Sequence, residues 1–299
     1  MNKINIAVVP VAGLGSRLLP ATKSQPKEML PIGRKPIVQH VVEELNRVGM
    51  ERVLFITGPG KASIENHFDL NGELIQLLRE EGKEDLLAEL DFERSPVRYF
   101  YTRQRQLLGL GHAVACAEPL VRGQPFVVAL GDSVIGMNAQ SDIVQRMTEC
   151  FNQKQADAVI AFEEVPLEDV QYYGIAQPKS AETSIGPGSI FELTDVIEKP
   201  DPSNAASNLA IAARYIFAPR IFEALKKIGP GKDGELQLTD AIRLIIQEGG
   251  KAYGVRLKEG EQRYDIGNFE SYFRTFVEFA LADEKYGNVL RSYLQEVVA

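Results

Sequence analysis

The sequence has 299 residues, of which 44% are hydrophobic and 25% are charged, and its formal net charge at pH 7 is −8. This length is enough for a large buried core in one domain or in two. The acidic charge does not suggest a nucleic-acid or membrane partner, and no apolar run approaches the ~18 residues that span a bilayer.

Strand and helix patterns alternate in the first half of the chain. The β-branched run at 4–11 is typical of a buried parallel strand, and no signal-peptide cleavage pattern follows it. Further strands are predicted at 52–57, 97–102 and 125–132. Helices are predicted at 35–49, 62–68, 72–90, 111–121 and 139–154. This order predicts an α/β fold with a mostly parallel sheet flanked by helices, whose ligands bind at the carboxyl ends of the strands.

The second half has a different pattern, with several strands joined by short turns. Strands are predicted at 157–165, 173–178, 188–200, 208–217 and 251–260. Helices are predicted at 237–250, 269–287 and 288–299. We interpret these patterns as a small antiparallel lobe added to the sheet, followed by C-terminal helices. The predicted organisation is a catalytic domain over 1–266 and a helical extension over 267–299.

Cys116 and Cys150 lie far apart in the sequence and lack the spacing of metal ligands. A chain of this size does not require a disulfide. The absence of a signal-peptide pattern, of an apolar span and of a disulfide requirement leads us to expect a cytoplasmic protein.

The segment after the first strand is rich in glycine and basic residues. Gly13, Gly15 and Arg17 form Gly-x-Gly-x-Arg, which lacks the third glycine of the dinucleotide fingerprint, and the chain contains no phosphate-loop motif. Residues 12–40 hold five positively charged side chains and one carboxylate. Flexible glycine backbone and basic side chains suit an anionic ligand. The alternative is a strand-to-helix turn with solvated lysines.

Gly-x-Gly-x-Arg followed by PATKSQPKEMLPIGRKPI is the specific feature of this segment. On these residues the sequence resembles the sugar-nucleotidyltransferase family and, within it, the bacterial UTP–glucose-1-phosphate uridylyltransferases. The resemblance runs from about residue 4 to about residue 290. Its further motifs, in the same order as in the family, are LGLGHAV, VVALGD, YYGIAQ, DVIEKP, ELQLTDAI and YDIGNFESYFRTFVEFA.

The resemblance implies that the chain joins UTP to glucose 1-phosphate with Mg²⁺, forming UDP-glucose and pyrophosphate by in-line attack of the sugar phosphate. It also implies a Rossmann-like nucleotide half at about 1–135, a sugar-binding half at about 136–266, and a homo-oligomer, either a dimer or a tetramer. Two alternatives stay open. One is thymidylyl transfer or another sugar 1-phosphate, and the other is a regulatory relative that binds nucleotide without turnover.

The resemblance also implies roles for individual residues. The implied catalytic residues are Arg17, Lys27 and Lys199. The implied nucleotide-binding residues are Ala12, Gly13, Gly15, Glu28, Gln104 and Gly109. The implied sugar-binding residues are Gly174, Glu198 and Lys199. The implied metal ligands are Asp132 and Asp265, and two aspartates with phosphate oxygens and water suit Mg²⁺ better than a dense cage of carboxylates would.

Structural alternatives exist for several of these residues. An aspartate at the end of a strand, such as Asp132, is often a turn residue or a helix cap. Asp265 is suited to cap the helix near 269. Glu198 and Lys199 are adjacent, so in a regular strand they would point to opposite faces, and their assignment requires either a local bend or a division of roles between them. His112 is expected to be structural, because the attacking phosphate oxygen is already anionic and needs no base.

Overall fold

The computed structural model describes residues 3–180, 185–231 and 234–298. Its strands are β1 (Ile6–Pro10), β2 (Pro31–Ile32), β3 (Lys35–Pro36), β4 (Arg52–Thr57), β5 (Arg98–Arg103), β6 (Phe126–Ala129), β7 (Ser133–Ile135), β8 (Ala158–Glu164), β9 (Gly174–Pro178), β10 (Ile190–Glu198), β11 (Leu209–Phe217), β12 (Ala252–Arg256) and β13 (Arg263–Asp265). Its α-helices are α1 (Ile37–Arg47), α2 (Ala62–Phe68), α3 (Gly72–Glu80), α4 (Glu84–Glu89), α5 (Leu110–Ala115), α6 (Glu118–Val121), α7 (Ile143–Lys154), α8 (Arg220–Lys227), α9 (Leu238–Gln247), α10 (Phe269–Leu281) and α11 (Gly287–Val298). Within the described ranges, none of these helices is long and apolar enough to cross a membrane.

A nine-stranded mixed sheet forms the centre of the fold, in the order β5-β4-β1-β6-β11-β8-β12-β10-β9. Strands β5, β4, β1 and β6 are parallel neighbours, as are β8 and β12. Strands β10 and β11 run in the opposite direction and make the antiparallel pairings. The predicted mixed α/β fold is therefore confirmed, and the antiparallel strands of the second half extend the same sheet.

The sheet is covered by helices on both faces, which is why its central strands are continuously apolar. In β1, Ala7 and Val9 belong to a core cluster that includes residues of α1 and α7. Ile6 and Val8 point to the other face, where the core includes residues of α5, α8 and α9. The alternation follows directly from the two-residue period of a strand.

One predicted helix, 72–90, is divided in the structure into α3 and α4. Gly82 lies between them with a φ of +66°, and its N–H donates to the carbonyl of Arg79 at 3.1 Å. The N–H of Lys83 donates to the carbonyl of Leu78 at 2.9 Å. Left-handed glycine with these two hydrogen bonds closes a helix, so the prediction of one continuous helix was wrong.

The C-terminal helices contact the rest of the chain through α10. The helix begins with a capping box, in which the side chains of Asn268 and Ser271 bond each other's backbone N–H groups. Phe279 is buried and makes edge-to-face contacts with the rings of His40 and Tyr264. Helix α10 therefore packs beside the elements that carry the candidate site.

Candidate active site

The segment after β1 folds back on itself in three single turns of 3-10 helix, at Ser16–Leu18, Ala21–Lys23 and Lys27–Met29. Gly15 has a left-handed φ of +66°, and its carbonyl accepts a hydrogen bond from Thr22 Oγ1 at 2.7 Å. A Cβ on Gly15 would lie 3.3 Å from Lys27 Cβ. Only glycine meets both conditions without strain, so Gly15 is what allows this loop to close.

Lys27 and Asp132 form an ion pair between this loop and the end of β6. Lys27 Nζ lies 2.5 Å from Asp132 Oδ2, and the two side chains are 18% and 22% exposed. The charge of Asp132 raises the pKa of Lys27, against the opposing effects of burial and of Arg17. Burial alone would raise the pKa of Asp132, but the charge and hydrogen bond of Lys27 hold that pKa below the ordinary aspartate value.

Gly13 lies beside the ammonium group of this pair. A Cβ on Gly13 would lie 3.8 Å from Lys27 Cε and 4.0 Å from Lys27 Nζ. The preceding residue, Ala12, is buried, whereas Gly13 is exposed. Exposed glycine backbone next to a lysine at the end of a parallel strand is suited to receive an anionic ligand.

Asp132 and Asp265 are brought together by the antiparallel pairing of β7 and β13. In this pairing Asp265 lies opposite Ser133, and the N–H of Ile266 donates to the carbonyl of Asp132 at 3.3 Å. Asp265 Oδ1 accepts from the N–H of Gly267 at 3.0 Å, and Asp265 Oδ2 accepts from Arg263 Nη1 at 2.9 Å. The two predicted metal ligands are therefore neighbours in space.

These two carboxylates fit a magnesium–phosphate site. Among the described residues, no group of three or more His, Cys, Asp or Glu side chains could hold a metal ion. Mg²⁺ bound with a nucleotide typically uses one or two carboxylates and takes its other ligands from phosphate and water. The alternative role of Asp265 as a helix cap is not realised, because Asn268 is the N-cap of α10.

Arg17 approaches the same region from the loop. A Cβ on Gly267 would lie 3.6 Å from Arg17 Nη2 and 3.3 Å from Asp265 Oδ1. Arg17 is exposed, and its charge opposes protonation of Lys27. The structure therefore brings Arg17, Lys27, Asp132 and Asp265 together at one end of the sheet.

Gln104 and the two glycines of the Leu-Gly-Leu-Gly segment form a second part of the candidate site. Buried Gln104 donates through Nε2 to the carbonyl of Gly109 at 3.0 Å. The same nitrogen lies 3.0 Å from His112 Nδ1. The contact of His112 with Gln104 agrees with the structural role expected for that histidine.

The backbone conformation of the Leu-Gly-Leu-Gly segment depends on hydrogen bonds with Leu236. The N–H of Gly111 donates to the carbonyl of Leu236 at 2.8 Å, and the N–H of Leu236 donates to the carbonyl of Leu108 at 2.8 Å. Gly109 has a φ of +92°, and a Cβ there would lie 2.7 Å from Glu235 Cβ. Two separated sequence motifs, LGLGHAV and ELQLTDAI, thus form one local structure.

Glu28 lies under the loop, where its carboxylate is paired with Lys61. Lys61 Nζ lies 2.8 Å from Glu28 Oε2, and the side chains are 5% and 1% exposed. Burial raises the pKa of Glu28, although Lys61 and Lys27 act in the opposite direction. Contact of Glu28 with a ribose stays a prediction. The sequence analysis missed Lys61, because a lysine after a Pro-Gly turn is usually a surface residue.

Gly174, Glu198 and Lys199 lie together where β9 pairs with β10. Gly174 is opposite Glu198 in the pairing, and Glu198 Oε2 accepts from Thr239 Oγ1 at 2.9 Å. A Cβ on Gly174 would lie 2.7 Å from Thr239 Cγ2, so this backbone approach requires glycine.

Of the two alternatives for the Glu198–Lys199 pair, the structure has the local bend. Lys199 has a φ of +46°, its N–H donates to the carbonyl of Tyr173 at 2.8 Å, and its Nζ lies 3.9 Å from Glu198 Oε1. The two adjacent side chains can therefore act on the same side of the strand. Arg263 and Tyr173, which adjoin these residues, were not identified from the sequence.

Comparison with known proteins gives a consistent result along the whole chain. Residues 6–280 match the family described as "Nucleotidyl transferase". The chain is 41% identical to the UTP–glucose-1-phosphate uridylyltransferase YngB of Bacillus subtilis, over 99% of this chain and 96% of that protein. It is 38% identical to a UTP–glucose-1-phosphate uridylyltransferase of Staphylococcus epidermidis, over 99% of each chain. The solved structure of a UTP-bound UGPase from Acinetobacter baumannii is similar with a TM-score of 0.88 and 36% identity, over 98% of this chain and 99% of that one.

Proposed function

The chain belongs to the nucleotidyl transferase family, and we propose that it transfers the uridylyl group of UTP to glucose 1-phosphate, forming UDP-glucose and pyrophosphate. The observation that carries the proposal is the meeting of Arg17, Lys27, Asp132 and Asp265 at one end of the sheet. The names of two relatives that match 99% of this chain, at 41% and 38% identity, support this substrate pair.

The chemistry needs positioned charge more than covalent catalysis. The reaction breaks the bond between the α- and β-phosphates of UTP and forms a bond from a sugar phosphate oxygen to the α-phosphorus. Negative charge then accumulates on the departing pyrophosphate. In this proposal Lys27 neutralises that charge, and Arg17 stabilises the oxygens around the α-phosphorus. The partly buried position of Lys27 strengthens its effect.

Mg²⁺ is the proposed metal, held by Asp132 and Asp265. When bound, it would supply positive charge to the phosphate oxygens of UTP. The β7–β13 pairing brings the backbone of Asp265 beside Ser133, the neighbour of Asp132. The Asp132 carboxylate accepts from Lys27, and the Asp265 carboxylate accepts from Arg263 and from the N–H of Gly267. Ser133, next to Asp132, lies within that pairing with its side chain buried.

The nucleotide and the sugar are proposed to occupy opposite sides of this charged centre. The base and ribose would contact the Rossmann-like half through backbone and amide groups. These are Ala12, Gly13, Gly15, Gln104 and Gly109, together with Glu28. The sugar would lie in the half that contains β9 and β10, where Glu198 accepts from sugar hydroxyls, Lys199 binds the sugar phosphate and Gly174 provides a close backbone surface.

A homo-oligomer, either a dimer or a tetramer, is part of the same proposal. Large apolar side chains on α10 and α11 are exposed in the single chain, among them Phe273, Val277, Val289, Tyr293 and Val297. Such a patch commonly marks a protein interface. Light scattering on the purified protein tests this, because a mass of 33.1 kDa would mean that the chain is a monomer.

Pyrophosphate release from the purified chain with Mg²⁺, UTP and glucose 1-phosphate tests the proposed function. We expect turnover that requires both substrates, and no release above background would refute the proposal. The alternatives are tested beside it with dTTP and with galactose and N-acetylglucosamine 1-phosphates. dTTP differs from UTP by an added base methyl group, which a pocket discriminates by only about 1–3 kcal/mol, and by the missing ribose 2′-hydroxyl, so a slower reaction with dTTP is compatible with the proposal. A higher kcat/KM for dTTP than for UTP would contradict it.

A further inference from the structure

Arg263 contacts Asp265 and also Tyr173, the neighbour of the proposed sugar-binding residue Gly174. Its Nη1 donates to Asp265 Oδ2 at 2.9 Å, and its Nε donates to Glu163 Oε1 at 2.5 Å. Its Cζ lies 4.9 Å from the centroid of the Tyr173 ring. Asp265 lies on the same strand as Arg263, whereas Glu163 and Tyr173 lie 100 and ~90 residues away in sequence, so the guanidinium joins distant parts of the chain.

The guanidinium is held firmly in this position. The Arg263 side chain is 11% exposed, and its backbone N–H donates to the second oxygen of Glu163 at 3.2 Å. Burial acts to lower the pKa of Arg263, but the charges of Glu163 and Asp265 raise it. An arginine guanidinium stays charged in proteins, and the planar donors of Arg263 fix one oxygen of Asp265 in direction.

A second connection leads from Arg263 to the sugar side. The ring of Tyr173 lies under the guanidinium, and the carbonyl of Tyr173 accepts from the N–H of Lys199 at 2.8 Å. This hydrogen bond helps to hold the bend in which Lys199 has a φ of +46°. The contacts therefore run in sequence from Asp265 through Arg263 and Tyr173 to Lys199.

We propose that Arg263 is a positioning residue that keeps the carboxylate of Asp265 and the Tyr173–Lys199 bend in one fixed arrangement. The inference rests on the proposed function for its chemical meaning. In-line transfer needs the sugar phosphate oxygen aligned with the α-phosphorus, and a displacement of about 1 Å can cost about 10²-fold in rate. Arg263 touches neither reacting atom and acts through Asp265 and Tyr173.

The test compares Arg263→Lys, Tyr173→Leu, Tyr173→Phe and the Arg263→Lys/Tyr173→Leu double variant. Arg263→Lys keeps the charge but loses the planar fork, and we expect kcat to fall about 10- to 100-fold with less than a threefold change in KM for UTP. Tyr173→Leu removes the ring under the cation, and kcat/KM for glucose 1-phosphate is expected to fall about 2- to 30-fold. Tyr173→Phe keeps the ring and should stay within about twofold of wild type.

The double variant decides whether the two residues act through their contact. We expect its kcat/KM for glucose 1-phosphate to fall by less than the product of the two single losses, because Arg263→Lys gives up the planar stacking on Tyr173 that Tyr173→Leu also removes. A double variant whose loss equals the product of the two single losses would overturn the proposal.

Arg256→Lys is the matched control, since Arg256 is 16% exposed and pairs with Glu164 next to Glu163. We expect kcat and both KM values of this control to match wild type, and losses equal to those of Arg263→Lys would overturn the proposal.

A crystal structure of Arg263→Lys separates this inference from the proposed function. We expect the Asp265 carboxylate to rotate and the Tyr173–Lys199 bend to shift relative to wild type. An unchanged Asp265 and an unchanged bend would overturn the positioning role, even if the variant were less stable. A wild-type chain that releases no pyrophosphate would refute the proposed function alone, and the same crystal structure would still decide whether Arg263 positions these groups.

Discussion

The ion pair of Lys27 and Asp132 should have a large coupling free energy, and its size can be worked out from the structure. At a separation of 2.5 Å, Coulomb's law gives about 1.7 kcal/mol at the permittivity of water and about 6.6 kcal/mol at an effective permittivity of 20. Each side chain is about one fifth exposed, and desolvation offsets part of the attraction. We therefore expect a coupling free energy of about 2–3 kcal/mol, above the ~1 kcal/mol of exposed pairs.

A double-mutant cycle measures this coupling. The free energy of unfolding in urea would be determined for wild type, Lys27→Met, Asp132→Asn and the double variant. The two substitutions keep side-chain size while removing one charge each. A coupling below about 0.5 kcal/mol at pH 7 would refute the reasoning, because that value is typical of a solvated surface pair.

The pH dependence of the coupling provides an independent check. The pKa of Asp132 is depressed in the folded chain, so its contribution is present above the unfolded value of about 3.9 and is lost as pH falls through the folded pKa. The pKa of Lys27 is raised, so its contribution is present below about 10.4 and is lost as pH rises through the folded pKa. The coupling should be constant between about pH 5 and about pH 9 and should shrink outside that range.

Three further predictions concern single residues. Arg17→Ala should lower kcat about 10²- to 10³-fold in the pyrophosphate assay while the free energy of unfolding changes by less than ~0.5 kcal/mol, because Arg17 is exposed; an active variant would contradict its role. Gly111→Ala should cost about 1–3 kcal/mol in urea unfolding, since its Cβ would lie 2.6 Å from the Leu236 carbonyl oxygen, whereas Gly72→Ala, with nothing within 4 Å, serves as the control. Burial lowers the pKa of His40 to about 4, so the unfolded chain takes up the proton first and stability should fall by up to roughly 3 kcal/mol between pH 7 and about pH 4. His40→Gln should remove that slope, and an unchanged slope would contradict the assignment.

The sequence was sufficient to predict the elements whose signal is local. Strand β4 (Arg52–Thr57) and helix α2 (Ala62–Phe68) have the predicted bounds, since each is a single run with one clear period. A bend at Lys199 was one of two alternatives for the adjacent Glu198 and Lys199, and the φ of +46° at Lys199 favours it. The division at Gly82 was missed because α3 and α4 share a helical pattern and one glycine does not always end a helix.

The contacts that organise the site could not be predicted, because they join distant parts of the chain. Strands β7 and β13 have three residues each, too few for a periodic signal, yet their pairing brings Asp265 beside Asp132. Arg263 contacts Glu163 and Tyr173, which lie 100 and ~90 residues away in sequence, so no local pattern indicates these contacts. The buried pairing of Lys61 with Glu28 is likewise a product of tertiary packing. Residue type and motif identified the functional groups, and topology decided their partners.

The path of the oxygen atoms tests most directly whether the sugar phosphate is the group that attacks the α-phosphorus of UTP. Glucose 1-phosphate labelled with ¹⁸O in its phosphate group would be incubated with UTP, Mg²⁺ and the purified wild-type chain, and both products analysed by mass spectrometry. Attack of the sugar phosphate on the α-phosphorus predicts that all of the label appears in UDP-glucose and that pyrophosphate is unlabelled. Label in pyrophosphate, or no UDP-glucose at all, would contradict the account.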